Sequence, residues 1–229
     1  MKVTWLTQAG LLFENGKVTV LVDPYLSDSV GETLDPAKHR RVPVDESFFE
    51  KKPDLILITH DHLDHLDMET LERFLNTDRQ ITVLAPENAW RKLVKYGHGH
   101  NYVLMNPHTV WSEKNLTFYS VKAAHSDPTA VGFIIDDGNA TYYISGDTLY
   151  NYDVIDEVLE LVEDGVDYAF LPINGVGNNM NAGDAADFAY EIGAKHAIPV
   201  HYGLFDSLDP RTFEFDDAMI FLPYKPVEL

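Results

Sequence analysis

Residues 55–67 read LILITHDHLDHLD. Leu55, Ile56, Leu57 and Ile58 form an apolar run with the length and composition of a buried strand. Behind Thr59, the residues His60, Asp61, His62, Asp64, His65 and Asp67 crowd into eight positions, in a chain that has ten histidines in all. Two residues apart on extended backbone, His60 and His62 project to the same side. Asp64 and His65 follow in the turn before DMETLERFLNT, whose Leu71, Phe74 and Leu75 recur at helical spacing. A solvated acidic loop has no reason to sit in this register at the end of a buried strand.

Three further apolar stretches end the same way: VKAAHSD at His125, YYISGDT at Asp147 and AIPVHYG at His201. Strands that each finish in His or Asp are what a site at the rim of a sheet requires, because rigid strands fix the donors that loops bring together. With no cysteine in the chain, a metal centre must use imidazole and carboxylate. The donors His60, His62, His65, His125 and His201, with Asp64 and Asp147, suit two borderline divalent cations sharing a carboxylate. A structural site closes with four ligands, whereas seven for two ions leave positions open for water, which is the catalytic arrangement.

Outward from the motif, KVTWLT, GLLFEN and KVTVLVDP read as short strands joined at Gly10 and at Asn15-Gly16, the latter a hairpin signal. LSDSVGETLDPAKHRRVPVDES has no periodicity and reads as a long loop. PDLILITH is a strand, followed by the helix from Asp67, the strand ITVLAP and a helix NAWRKLVKYG ending at Gly97. The second half repeats the rhythm. Its strands are NLTFYSVKAAHS, AVGFIIDD and ATYYISGDT, with a turn at Asp137-Gly138-Asn139. Then come a helix YDVIDEVLELVED, a strand VDYAFLPIN, a helix AGDAADFAYEIG and a strand HAIPVHYG, with AMIFLPYKPVEL as a last strand. Two such halves make an α/β protein, a four-layer αββα sandwich, and no linker divides residues 1–229, so one domain is expected.

Seventeen basic against 37 acidic residues give a formal charge of −20, which repels phosphate backbones and excludes a track for nucleic acid. No run of eighteen apolar residues exists, so no membrane span is expected, and the absence of a signal-like segment points to the cytoplasm. The partner expected is a small-molecule substrate.

The pattern His60-x-His62-x-Asp64-His65, then His125, Asp147 and His201, resembles that of the metallo-β-lactamase superfamily, whose fold is the αββα sandwich. TWLTQAGLLFE, LVDPYLSD, ISGDT and AIPVHYGLFDSLDP are similar to stretches of the L-ascorbate-6-phosphate lactonase group. The resemblance implies His60, His62 and His125 on one metal ion, and Asp64, His65 and His201 on a second, with Asp147 bridging. It implies two divalent ions, zinc or manganese, and allows a homo-oligomer. Asp23 would fix a ligand imidazole, or is simply a turn residue before Pro24.

The activity so implied is hydrolysis of a small ester or lactone by a hydroxide shared between the ions, with Asp64 and Asp147 as catalytic residues. A phosphorylated sugar lactone such as L-ascorbate 6-phosphate would be one such substrate. The alternatives are a phosphodiesterase on a small diester and a non-catalytic metal-binding member of the fold. Tyr202, Asn174 and His108 are the candidate proton donors. The loops at 26–45, 174–183 and 202–212 would select the substrate, with Arg40, Arg41 and Arg211 available to an anionic one. Asn178, Asn179 and Asn181 would bind hydroxyls or form turns. His39, His98, His100 and His196 are expected to be surface or structural.

Overall fold

The computed structural model describes residues 1–97, 99–162 and 164–229. The chain divides into two compact units: Met1–Leu104 with Gly203–Ser207 and Phe221–Leu229, and Met105–Tyr202 with Leu208–Ile220. Each is built on one mixed sheet.

In the first unit, β1 (Lys2–Trp5), β2 (Leu11–Glu14) and β3 (Thr19–Val22) form an antiparallel meander. From β3 the sheet continues in parallel through β4 (Leu55–Leu57), β5 (Thr82–Ala85) and β6 (Asn101–Leu104). Helix α1 (Met68–Leu75) connects β4 to β5, and α2 (Glu87–Leu93) connects β5 to β6. Leu71, Phe74 and Leu75, the apolar face expected of α1, join Ile56, Ile58, Ile81 and Val83 in one buried cluster. Burying each such side chain contributes about 1.5–3 kcal/mol, so packing holds this eight-residue helix, which is too short to persist alone.

The second unit starts with β7 (Val110–Glu113), β8 (Leu116–Lys122), β9 (Val131–Asp136) and β10 (Thr141–Ile144), all antiparallel. Helix α3 (Tyr152–Leu161), β11 (Tyr168–Pro172), α4 (Ala182–Glu191) and β12 (His196–Val200) follow, with β10, β11 and β12 parallel. The final strand, β13 (Pro226–Glu228), pairs with β1, giving the first sheet the order β13-β1-β2-β3-β4-β5-β6. The meander followed by strand–helix units therefore occurs in both halves, as the sequence rhythm implies.

Both anticipated hairpins form, by the same device. Glu14 pairs with Thr19 and Asp136 with Thr141 across four-residue loops. Asn15 accepts from the backbone N–H of Lys17 and Val18, and Asp137 from those of Asn139 and Ala140. Gly16 and Gly138 supply the left-handed φ of +80° and +82° that these turns need.

The structure departs from expectation at several points. β6 and β7 were not anticipated, and α2 stops at Leu93 rather than near Gly97. Helix α3 ends at Leu161, and residue 163 of the expected helix lies outside the described residues. The expected final strand is reduced to Pro226–Glu228, with Ala218 making an isolated bridge to Ala197. The long loop holds short helical turns at Val30–Leu34, Pro36–Lys38 and Glu46–Glu50, the last two capped by Asp35 and Asp45.

Two polar anchors, one buried and one half-buried, hold that loop. Asp67, the last residue of the opening stretch, is fully buried and caps α1, accepting from the Thr70 N–H (3.3 Å) and hydroxyl. Ser29 Oγ donates to its other oxygen at 3.1 Å. The second anchor is Arg40. Its Nε donates to Val42 O, Nη1 to the carbonyls of Tyr25 and Ser27, and Nη2 to Thr7 Oγ1 and Tyr224 Oη. All five guanidinium protons are thus committed to neutral acceptors. Arg40→Ala is therefore expected to cost roughly 2–4 kcal/mol in urea unfolding. A loss under about 0.5 kcal/mol, the ordinary surface value, would overturn this structural role.

Candidate metal centre

The first unit carries four of the expected donors on the segment just past β4. His60 and His65 are buried, Asp64 is half-buried and His62 is exposed. The rings of His60 and His62 lie 4.6 Å apart, and those of His60 and His65 4.0 Å apart. Asp64 Oδ2 is 3.9 Å from His65 Nε2. The other two aspartates of the stretch are employed elsewhere: Asp61 pairs with Lys92 at 2.8 Å, and Asp67 caps α1.

What orients the imidazoles is a buried carboxylate. Asp23 follows β3, is fully buried, and has a left-handed φ of 39°. Its Oδ1 accepts from Thr59 N–H at 2.8 Å, and its Oδ2 from Thr59 Oγ1 at 2.5 Å and from His65 Nδ1 at 2.8 Å. The single hydroxyl proton of Thr59 goes to Asp23, so Thr59 Oγ1 accepts from His60 Nδ1, 3.1 Å away. Asp23 and Thr59 thereby fix the Nδ1–H tautomer on both His60 and His65 and leave each Nε2 with its lone pair, the form a metal ligand needs. Asp23 thus fixes an imidazole, the first of the two readings open from sequence.

The second unit carries His125, Asp147 and His201. His125 lies past β8, and Asp127 N–H donates to its Nδ1 at 3.1 Å. Asp147 and His201 are buried, past the ends of β10 and β12, with His201 at a left-handed φ of 57°. His201 Nε2 stands 3.3 Å from Asp147 Oδ1. Asn179 Nδ2 donates to Asp147 Oδ2 at 3.1 Å, and the Asn174 amide lies 3.0 Å from His201 Nδ1. With the amide oxygen turned to that position, Asn174 accepts Nδ1–H and the lone pair of His201 is left on Nε2.

Asn174 and Asn179 therefore position donors, roles the sequence reading did not give them, while Asn181 caps α4 through Asp184 N–H. Gln8 was missed entirely. Its Nε2 donates to Asp64 Oδ2 at 2.8 Å, and the one available signal was an amide among apolar residues at the end of the first strand. Of the candidate proton donors, Tyr202 is buried, which pushes its phenol up to about 12, and His108 is exposed, 3.7 Å from Glu157. Arg211 is held by its neighbour Asp209, at 2.9 and 3.0 Å from Nε and 2.5 Å from Nη2. That guanidinium holds the Asp209 carboxyl down at about 2. With Arg40 also committed, Arg41 is the exposed member of the three arginines not held by a side-chain acceptor. His39 pairs with Asp28, His100 bonds Leu75 O, and His196 stacks on Tyr168; His98 lies outside the described residues.

Among the described residues no helix is long and apolar enough to cross a membrane. Comparison with known proteins places the chain. The model of the β-lactamase superfamily domain matches residues 18–202. A UPF0173 metal-dependent hydrolase of Thermoplasma acidophilum is 31% identical over 87% of this chain and 83% of its own length. The mitochondrial N-acyl-phosphatidylethanolamine-hydrolyzing phospholipase D of Saccharomyces cerevisiae is 25% identical over 88% of this chain, which spans 47% of that protein. The solved structure of Igni18, a metallo hydrolase of Ignicoccus hospitalis, superposes with a TM-score of 0.78 at 21% identity, covering 99% of this chain and 97% of that one. The fold, two mixed sheets flanked by helices, is the metallo-β-lactamase fold. The chain belongs to the β-lactamase superfamily and is a metal-dependent hydrolase of its UPF0173 family.

Proposed function

We propose that residues 1–229 work as one domain and hold two divalent ions, zinc or manganese, for hydrolysis of a small ester or lactone. The observation that carries this reading is the Asp23–Thr59 relay, which prepares the imidazoles of both His60 and His65 as ligands. A buried carboxylate aligned on one histidine directly and on a second through a threonine hydroxyl has no comparable purpose in a merely solvated loop. In this reading His60, His62 and His125 hold one ion, and Asp64, His65 and His201 the other. Asp147 bridges in this reading, as the carboxylate shared by the two sets.

Two such ions, when bound, supply Lewis acidity and a hydroxide nucleophile near neutral pH. The chain's own residues do the positioning. Asp64 orients the nucleophile, Asn179 holds Asp147 by one oxygen, and Asn174 fixes His201.

The net charge of −20, and the engagement of Arg40 and Arg211, favour a neutral ester over a phosphorylated one. The phosphorylated sugar lactone of the sequence resemblance has only Arg41 left in its support. A second reading, hydrolysis of a small phosphodiester, is favoured by the similarity to the yeast phospholipase D.

The test is metal content of protein purified without chelator, then turnover of a plain lactone, a sugar-phosphate lactone and a bis-aryl phosphodiester. Close to two ions per chain with turnover of the plain lactone is the expected result. Two ions with diester turnover alone would move the protein to the second reading. Failure to take up zinc or manganese would remove the metal centre.

A further inference from the structure

The turn between β1 and β2 is costly for its length. Thr7 and Gln8 both have left-handed φ, 75° and 48°, although neither is glycine, and both are buried. Such strain persists only where surrounding contacts over-determine it. Here four do. Leu6 N–H donates to Gly10 O at 2.8 Å and Gly10 N–H to Thr7 O at 2.9 Å. Trp5 Nε1 donates to Gln8 O at 2.8 Å, and Arg40 Nη2 to Thr7 Oγ1 at 2.9 Å. What this fixed, strained turn delivers is the Gln8 amide, whose Nε2 donates to Asp64 Oδ2 at 2.8 Å.

We infer that Gln8 is a positioning residue for Asp64. It ties down Oδ2 and sets the carboxylate plane, so that Asp64 meets the ion it shares with His65 and His201 in one orientation. The inference rests on the proposed binuclear site and adds to it a specific asymmetry. The Gln8 amide donates to Asp64, which this reading gives to one ion alone, so its loss should weaken that ion more than the other. A neutral amide is the fitting donor. It orients the carboxylate as a lysine would, without adding a positive charge that competes with the cation.

The experiment is zinc titration of metal-free protein by calorimetry, comparing wild type with Gln8→Met, which keeps the length and removes the donor. One ion should bind close to wild type and the other about 10–100-fold less well, the usual effect of removing a group that orients a ligand. Gln8→Asn, which keeps an amide but falls one methylene short, should show the same split, and it serves in place of Gln8→Met should the latter not fold. Both ions binding as in wild type, or both weakened equally, would overturn the role of Gln8. Should wild type itself take only one ion, the binuclear reading fails separately, and Gln8 keeps its role only where both variants weaken that single ion.

Discussion

Asp147→Asn is expected to lower bound metal and turnover together. The carboxylate follows β10 in the second unit, with His201 Nε2 at 3.3 Å from one oxygen and the Asn179 amide at 3.1 Å from the other. As the proposed bridge it is shared by both ions. The asparagine keeps shape and volume but removes the negative charge and replaces one oxygen with a donor, which either repels a cation or meets Asn179 donor to donor. Turnover should fall about 10³-fold or more, in the range seen when an electrostatic group at the reacting centre is removed. Elemental analysis should find fewer ions per chain. Unchanged metal content with reduced turnover would remove Asp147 from the bridging position while leaving it near the chemistry.

Asp23→Ala should have the second largest effect, and on stability as well as metal. The substitution strips acceptors from Thr59 N–H, Thr59 Oγ1 and His65 Nδ1, all in a fully buried setting. Each orphaned donor costs about 1–3 kcal/mol, so a loss of several kcal/mol in urea unfolding is expected even without metal. Asp23→Asn separates the two effects. Its oxygen still accepts one bond, and its amide protons then face a proton donor, which frees His65 to take the wrong tautomer. Metal affinity should fall about 10–100-fold with a smaller loss of stability. Wild-type metal affinity in Asp23→Asn would show that Asp23 is only a structural tie between β3 and β4.

The elements read correctly from sequence share one property: their signal is local. β4 is an unbroken apolar run, α1 shows its apolar face at helical spacing, and both four-residue hairpins carry Asn-Gly or Asp-Gly. The elements missed lacked such a signal. β6 is a four-residue edge strand without alternation. β7 ends in a two-residue turn, Lys114-Asn115, with both residues at left-handed φ, 53° and 64°. That geometry ordinarily advertises itself by a glycine, and here the lysine hides it. The overlong last strand failed for the opposite reason, because an apolar stretch reads as a strand whether or not a partner is available to pair with it.

The same division runs through the candidate centre. The sequence by itself determined the donor inventory and its placement at strand ends, since both follow from short-range periodicity and from the absence of cysteine. Only the tertiary structure decided which nitrogen each imidazole presents and which residues hold the donors. Asp23 lies 42 positions from His65, and Gln8 56 positions from Asp64. No local pattern encodes pairs that distant, and a threonine or glutamine next to a strand looks the same whether it positions a ligand or faces water. Arg40 reverses the lesson. By composition it belonged with the arginines available to an anion, yet carbonyls and hydroxyls from four separate segments converge on it and consume every donor. A side chain's chemistry is written in the sequence; how that chemistry is used depends on the partners that folding brings within about 3 Å of it.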